Sequence, residues 1–155
     1  MKLSYDFQNN SFSSVISSNQ TSINNFEVDF QNGQILFDNS LFKIDVSLLL
    51  DKSGKPINLF GSIPINNENE LDLRIKGDER IIYLLNNVSN QNFDFKNGSA
   101  NLRMLITGSL NKPIANGFFF VKDAEINIMK NNFKNLEATF IFDFDQLEIK
   151  NLTAI

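Results

Sequence analysis

Two groups of acidic residues have a spacing that could support chemistry. Glu68, Glu70 and Asp72 lie two residues apart, and so do Asp143 and Asp145. Residues at this spacing share one face of a β-strand, where paired carboxylates can serve a glycosidase as acid and base or bind calcium. Both groups lie opposite an apolar strand face, so we expect solvated, outward-facing side chains instead.

A loose likeness to a phosphate-binding loop occurs in the segment Asp51-Lys-Ser-Gly-Lys. The segment lacks the Gly-x-x-x-x-Gly-Lys-Ser/Thr spacing in which backbone N–H groups cradle phosphates. Its residue types are those of a turn between two strands. We therefore predict a hairpin connection here.

The composition removes most other catalytic chemistry. The 155 residues include no His and no Cys, so the commonest general base, the thiol nucleophile and the usual ligands of transition metals are missing. No Ser lies in a Gly-x-Ser-x-Gly motif. The net charge is −4 and no basic stripe is visible, which disfavours a nucleic-acid partner. We expect no enzymatic activity, no catalytic residue, no cofactor and no metal site.

Apolar and polar residues alternate along most of the chain. Alternating segments are NNFEVDFQNG, LFKIDVSLLL, ELDLRIK, SANLRMLITG, AEINIMK, LEATFIFDFD and QLEIKNL, the last with a shift near Asn151. This period predicts antiparallel strands with one apolar and one solvated face, of five to seven residues or about 16–23 Å. Turn residues at Asn32-Gly33, Asn97-Gly98, Asn116-Gly117 and residues 130–132 predict the hairpins that connect them.

One segment departs from this alternation. In GDERIIYLLNNVS, apolar residues recur at spacings of three and four after Asp78, a possible N-cap, which predicts a short amphipathic helix over residues 78–89. The first 20 residues are rich in Ser and Asn and are expected to be ragged. Residues 21–155 would form one continuous domain. The predicted fold class is all-β with one short helix.

Two architectures fit the alternation. Apolar faces can meet and close a β-sandwich or barrel. Alternatively, a curled antiparallel sheet can leave its apolar face open as a trough, which would mark a site for lipid or a partner, because such patches are rare on soluble monomers. No segment is apolar and long enough to span a membrane as a helix, and MKLSYDFQNN has no apolar signal-peptide core. The chain is accordingly either cytoplasmic or an internal piece of a longer protein.

The order of motifs over about residues 23–155 resembles the C-terminal region of the TamB family, the large AsmA-like proteins of the translocation and assembly module. The family's phrase, a strand ending in Gly-Ser/Thr-Leu, then Pro, Gly and an apolar strand, is matched here. An earlier Gly-x-x-Pro phrase falls on Gly61 and Pro64. The matching residues of the main phrase and the final strand pair are Gly108, Ser109, Leu110, Pro113, Gly117, Phe118–Phe120, Phe140, Phe142, Leu147 and Ile149. Glycine is scarcer than in the family, with Asp123-Ala124 where a Gly turn is usual.

The resemblance implies a fold and a function. Members of the family form a long folded sheet called a β-taco. They are anchored to the inner membrane and cross the periplasm of the cell envelope. They carry phospholipid along an apolar groove between the inner and outer membranes, and they work with an outer-membrane barrel of the TamA or BamA type. They serve outer membrane biogenesis and protein secretion. This chain would be a fragment of such a protein.

On this basis the apolar side chains would line a groove for phospholipid acyl chains. Of the three consecutive phenylalanines, Phe118 and Phe120 are expected to face the groove. The predicted lining is Phe26, Val28, Phe30, Ile44, Val46, Leu48, Leu71, Leu73, Ile75, Leu102, Met104, Ile106, Phe118, Phe120, Ile126, Ile128, Phe140, Phe142, Leu147 and Ile149. Two alternatives remain: an interaction module whose edge, around residues 147–155, pairs with a strand of the barrel, and a closed sandwich that acts as a spacer.

Overall fold

The computed structural model describes residues 2–6, 11–15, 18–23, 26–38, 40–49, 55–66, 69–79, 81, 93–129 and 131–155. Nearly all of them lie in β-strands, and within these ranges there is no α-helix. The strands are β1 Lys2–Asp6, β2 Ser11–Val15, β3 Ser18–Ile23, β4 Phe26–Asp38, β5 Leu41–Leu49, β6 Ile57–Pro64, β7 Leu71–Glu79, β8 Phe93–Ser109, β9 Lys112–Ile128, β10 Asn131–Phe144 and β11 Gln146–Thr153.

All of these strands belong to one antiparallel sheet. From β4 to β11 each strand pairs with the next along the chain, so this part is a meander of hairpins. Strand β4 also pairs with both β2 and β3, which lie end to end along it. Strands β1 and β11 form the two edges and do not pair with each other, so the sheet is open. The prediction of an all-β antiparallel sheet is confirmed, and the alternative of a two-layer sandwich is wrong for the described strands.

Strands β4 to β11 are longer than predicted. Strands β8 and β9 each contain 17 residues, which is about 56 Å of extended chain. The predicted turns at Asn97-Gly98, Asn116-Gly117 and Asn32-Gly33 lie inside strands and are therefore wrong. At Gly117 (φ 149°) a Cβ atom would overlap the backbone oxygen of Arg103 on the neighbouring strand. Glycine serves here for a close approach of two strands, and the turn that its sequence suggests does not form.

The connections occur at other residues. Ser40 (φ 63°) lies between β4 and β5, and Leu110-Asn111 joins β8 to β9, where the Ser109 hydroxyl accepts a hydrogen bond of 3.2 Å from the Lys112 N–H. Of the predicted turn at residues 130–132, Asn131 and Asn132 belong to β10, while residue 130 lies outside the described part. Met129 (φ 47°) follows the end of β9. The hairpin between β5 and β6 is present through their pairing, although residues 51–54 lie outside the described part.

A line of bulges crosses strands β8 to β11. Where the register of each strand shifts, one residue has a left-handed backbone: Gly98 (φ 116°), Asp123 (φ 51°), Asn135 (φ 51°) and Asn151 (φ 51°). Gly, Asn and Asp adopt this conformation at the lowest cost. A bulge adds one residue to its strand and increases the local twist. The shift expected near Asn151 is confirmed, and this set of four residues is called the bulge line below.

The predicted helix does not begin at Asp78. Residues 71–79 form strand β7, in which Gly77 pairs with Leu102 and Asp78 with Asn101. The Asp78 carboxylate accepts a hydrogen bond of 2.6 Å from the Arg103 guanidinium, so it stabilises the strand pair and does not cap a helix. Residues 80 and 82–89 of the prediction lie outside the described residues.

The main core lies beside the bulge line on one side of the sheet. Ile57, Ala100, Val121 and Ala124 form it together with Ile81, which follows β7 and packs over Gly77. Gly98 leaves room for Ala124 of this core, which a Cβ atom at Gly98 would overlap. The predicted division at residue 20 lies inside β3, and β1 and β2 belong to the same sheet as the rest of the chain.

Candidate functional site

One side of the sheet is apolar from β4 to β11. Cα partners in antiparallel strands project to the same side, so the register identifies rows of side chains that run across the strands. One row is Gly33–Val46–Leu59–Ile75–Met104–Gly117–Phe142–Leu147. This row crosses eight strands without one polar side chain, and we call its side of the sheet the apolar face.

Two further rows flank the first. Gly77, Leu102, Phe119, Phe140 and Ile149 form one of them. Its Phe119 and Phe140 rings have centroids 6.0 Å apart, a distance typical of favourable aromatic pairs. On the other side lies the row Ile35–Ile44–Gly61–Leu73–Ile106–Ala115–Phe144. The apolar face is therefore continuous in both directions, along the strands and across them.

The side chains of the apolar face become more exposed to solvent towards the edge strand β11. Val121 and Ala138, next to the bulge line, are 2% and 1% exposed, whereas Leu147 and Ile149 on β11 are 55% and 53% exposed. Side chains between these extremes, such as Met104, are half-buried. All described strands belong to one open sheet, and Ile81 packs over this face at Gly77. Much of this apolar surface is accessible to a ligand.

Most of the predicted lining residues share the apolar face. The register places on it Val28, Phe30, Ile44, Val46, Leu48, Leu71, Leu73, Ile75, Leu102, Met104, Ile106, Ile126, Ile128, Phe140, Phe142, Leu147 and Ile149. The side chain of Phe26 lies outside the described part of the chain. The bulge at Asp123 keeps Ile126 on the same side as Val121 although their spacing is odd.

The prediction for Phe118 and Phe120 is wrong. Phe118 pairs with Arg103, and Phe120 pairs with Asn101, so both project from the opposite side of the sheet. Phe119, which pairs with Leu102, projects from the apolar face. In a run of apolar residues, the sequence does not show which residues face which side of the sheet. Only the pairing of β9 with β8 decides this.

Sequence reasoning also missed several residues of the apolar face. They are Ile35, Phe37, Leu59, Ile63, Phe119 and Val121. Leu59 and Ile63 alternate with Gly61 in the segment INLFGSI, but the adjacent Phe60 hides the period. Ile35 and Phe37 follow a bulge between Phe30 and Asn32 that reverses the phase of β4.

The opposite side carries most of the charges, and we call it the charged face. Arg74 forms an ion pair of 3.3 Å with Asp72 and lies 5.7 Å from the centre of the Phe60 ring. Of the acidic residues predicted as pairs, Glu70, Asp143 and Asp145 are exposed, and Glu68 is outside the described residues. In the described part of the chain, no group of three or more His, Cys, Asp or Glu side chains could hold a metal ion.

A polar cluster lies on the charged face near the bulge line. The Asn132 amide donates a hydrogen bond of 2.7 Å to Glu125, and the Asn97 amide donates one of 3.2 Å. These amide donors, Asn132 foremost, hold the pKa of Glu125 below its usual value. The cluster ties β8, β9 and β10 together where their registers shift. Exposure to water makes its role in stability modest.

A second exposed ion pair joins the start of β6 to the end of β7. Lys55 Nζ lies 2.9 Å from Glu79 Oε1, and this hydrogen bond raises the pKa of Lys55. Neither this pair nor the Glu125 cluster is buried, and neither faces an enclosed pocket of reactive groups. The largest chemical feature of the described surface is therefore the apolar face.

Comparisons with protein-family models, with characterised proteins and with solved structures find no match for this chain. In the ranges that the structure describes, no helix has the length and apolar character needed to cross a bilayer.

Proposed function

We propose that the chain is a non-enzymatic carrier whose apolar face binds the acyl chains of phospholipids. The observation that supports this proposal is the continuity of three apolar rows across hydrogen-bonded strands with no second layer among the described strands. Eight strands span about 38 Å, while the hydrocarbon of one leaflet is about half of 30 Å thick. An extended acyl chain fits within one row.

The chemistry of the face suits transport as well as binding. Burying one methylene group stabilises a bound chain by about 0.8 kcal/mol. Successive positions along the first row, such as Ile75, Met104 and Phe142, offer similar dispersion contacts and no directional hydrogen bond. A tail that moves by one strand exchanges one set of contacts for an equivalent set, so the barrier to sliding is low.

The cellular role follows from the resemblance to the TamB family. We propose that the chain belongs to a longer envelope protein that is anchored in the inner membrane and carries phospholipid through the periplasm to the outer membrane. Through an outer-membrane barrel of the TamA or BamA type, it would contribute to the assembly of outer-membrane and secreted proteins. The open sheet of antiparallel strands supports this assignment, because a conduit needs a face without a covering layer.

The carrier proposal is tested by placing a charge in the row. We expect Met104→Asp to slow the transfer of fluorescent phospholipid between donor and acceptor vesicles at least tenfold, because a carboxylate in an apolar path opposes the passage of a tail. Leu105→Asp is the matched control, since Leu105 is the next residue of β8 and faces the other side. Equal transfer by Met104→Asp and the unchanged protein, with both variants folded by circular dichroism, would contradict the proposal.

A second candidate function is strand addition at β11. All eight residues of this strand are exposed, and its outer edge pairs with no described strand. Unpaired edges of this kind add a strand from a partner. We expect a photocrosslinker at Lys150 to capture a barrel protein of the BamA type held in detergent, and the same crosslinker at Lys43, on the interior strand β5, to capture none. Capture of lipid alone at Lys150 would exclude this function.

A further inference from the structure

The charged face has an apolar patch of its own on strands β8 to β10. Phe118 and Phe120 lie at its centre, between Leu105 and Ile141. Phe118 is 41% exposed. Asn101, Arg103, Asn116 and Thr139 lie around these apolar side chains on the same side, so this is a local apolar patch with a polar rim, the pattern of a protein–protein interface. None of the described strands covers the patch.

The charges beside the patch are arranged with opposite signs on its two sides. In the row of Phe118, Lys76 and Arg103 lie on β7 and β8, and Glu148 lies on β11. Lys76 and Arg103 are direct cross-strand partners, and like charges in that position repel each other. Asp78 already neutralises Arg103 from within the chain, at 2.6 Å, so an acidic group brought to this side from outside would pair with Lys76.

The next row repeats the arrangement with the signs exchanged. Asp78 lies on β7, Phe120 lies on β9 and Lys150 lies on β11. Strands β7 and β11 are equally distant from β9, at two strand spacings or about 10 Å. The outer charges, on β7 and β11, are thus matched by opposite charges at the same distance across β9. Arg103 on β8 lies opposite Ile141 on β10 and pairs with Asp78 in its own chain, and Lys150 lies 3.2 Å from Glu148 within β11.

We propose that this part of the charged face is an interface between two copies of the chain, related by a two-fold axis that runs along β9. Such an axis lays β7 of one copy over β11 of the other. It brings Lys76 towards Glu148 of the second copy and Asp78 towards Lys150, and each pair occurs twice. Phe118 and Phe120 pack on the axis against the same residues of the second copy, as in an isologous interface.

The dimensions agree with a dimer of moderate affinity. Sheets that pack face to face keep their strands within about 30°, an offset that long Lys and Glu side chains can span. Five strands by seven residues cover about 24 Å by 23 Å, or about 550 Å² on each copy, which lies near the lower limit for specific interfaces. The groove between Phe60 and Phe118, with a volume of 420 Å³, lies over β7 and β8 and would face Ile141 and Glu148 of the second copy, so the Glu148 side chain has room to reach Lys76.

Exchange of charges tests the proposal. We expect the unchanged chain to dimerise at micromolar concentration in sedimentation velocity runs, and Lys76→Glu and Glu148→Lys each to weaken the dimer at least tenfold. Mixing the two variants should restore the dimer. Each mixed dimer has one native Lys76–Glu148 pair, and its second pair joins the two substituted residues, which again have opposite charges. Lys43→Glu, an exposed change on the same face of β5, should leave the dimer unchanged.

A pair of aromatic changes separates this interface from association through the apolar face. Phe118→Asp should abolish the dimer, while Phe42→Asp, whose ring lies on the apolar face and is equally exposed, should not. The proposal is overturned if the chain is still monomeric at a concentration of about 100 μM. It is equally overturned if Phe42→Asp removes the dimer, or if the mixed charge variants do not associate.

Discussion

Strand β9 in the interior of the sheet and strand β11 at its edge have similar alternation but different surroundings. Val121 on β9 is 2% exposed, whereas Ile149 on β11 is 53% exposed. Strand β9 has hydrogen-bonded neighbours on both sides, and β11 has only β10. Alternation decides which way a side chain points, while its surroundings decide how much of its surface leaves water. Val121 also belongs to the core around Ile81, whereas Phe118, on the same strand but on the other face, is 41% exposed, so flanking strands alone do not bury a side chain.

The largest effect is expected where two interior strands approach most closely. Gly117→Val adds a Cβ that overlaps the Arg103 backbone oxygen, and it also places a β-branched residue at φ 149°. We expect a loss of about 3 kcal/mol or more in the free energy of unfolding, measured by urea denaturation. Thr153→Val, at the exposed edge, should change it by less than about 0.5 kcal/mol. Similar effects at both positions would contradict the difference between interior and edge.

A direct comparison of apolar truncations gives the next largest effect. Val121→Ala removes buried methyl groups beside Ala100 and Ala124, and we expect a destabilisation of about 2 kcal/mol. Ile149→Ala removes a larger group, yet we expect less than about 1 kcal/mol because half of its surface is already in water. Urea denaturation of both variants measures the ratio. A larger loss for Ile149→Ala would show that another part of the protein covers β11.

The bulge line offers a smaller effect that depends on backbone conformation. Asn151 has φ 51°, which a β-branched residue adopts at a cost. We expect Asn151→Val to lower the free energy of unfolding by about 1 kcal/mol and Asn151→Gly to leave it within about 0.5 kcal/mol. Thermal unfolding of the two variants distinguishes them. Equal stability of Val and Gly at this position would mean that the edge strand does not keep its bulge in solution.

The smallest effect concerns pH. The pKa of Glu125 is lowered in the folded chain, so its contribution to stability is present above the unfolded value, near 4.5, and is lost as pH falls through the folded value. Because the Asn132 amide is the main cause, Asn132→Ala should move the pKa of Glu125 up towards 4.5. Carbon-detected NMR titration of the Glu125 carboxylate measures the shift. An unchanged titration would show that the amide does not donate to this carboxylate in solution.

The sequence was sufficient to predict the strand class and most of the apolar face. In segments such as FKIDVSL, charged residues mark the solvated side, and Ile44 and Val46 are assigned to the other side without knowledge of the neighbours. In Phe118–Val121 the residues on both sides of the strand are apolar, so no charged residue marks the solvated side. Pairing with Leu102 then places Phe119 on the apolar face. This is long-range information that a local pattern does not contain.

The positions of the turns and the openness of the sheet also could not be predicted from the local pattern. Asn-Gly is the strongest signal for a two-residue turn, yet Gly98 and Gly117 lie within long strands because the chain reverses elsewhere. Alternation predicts equally well a sheet that meets a second sheet and one that does not. The sheet is open because its edge strands β1 and β11 do not pair with each other. No short segment of the sequence contains information on that pairing.

The bulge line has a consequence for changes in chain length. Each of β8 to β11 carries one surplus residue there, and the surplus keeps Val121 and Ile126 on the same side of β9. Deleting Asp123 would leave the two halves of that strand out of phase, turning Ile126 and Ile128 outward while Phe119 stays in place. A substitution at Asp123 alters one side chain, whereas a deletion inverts half a strand. During divergence of such proteins, gaps should therefore be rarer at these four positions than the polar, exposed character of Asp123, Asn135 and Asn151 suggests.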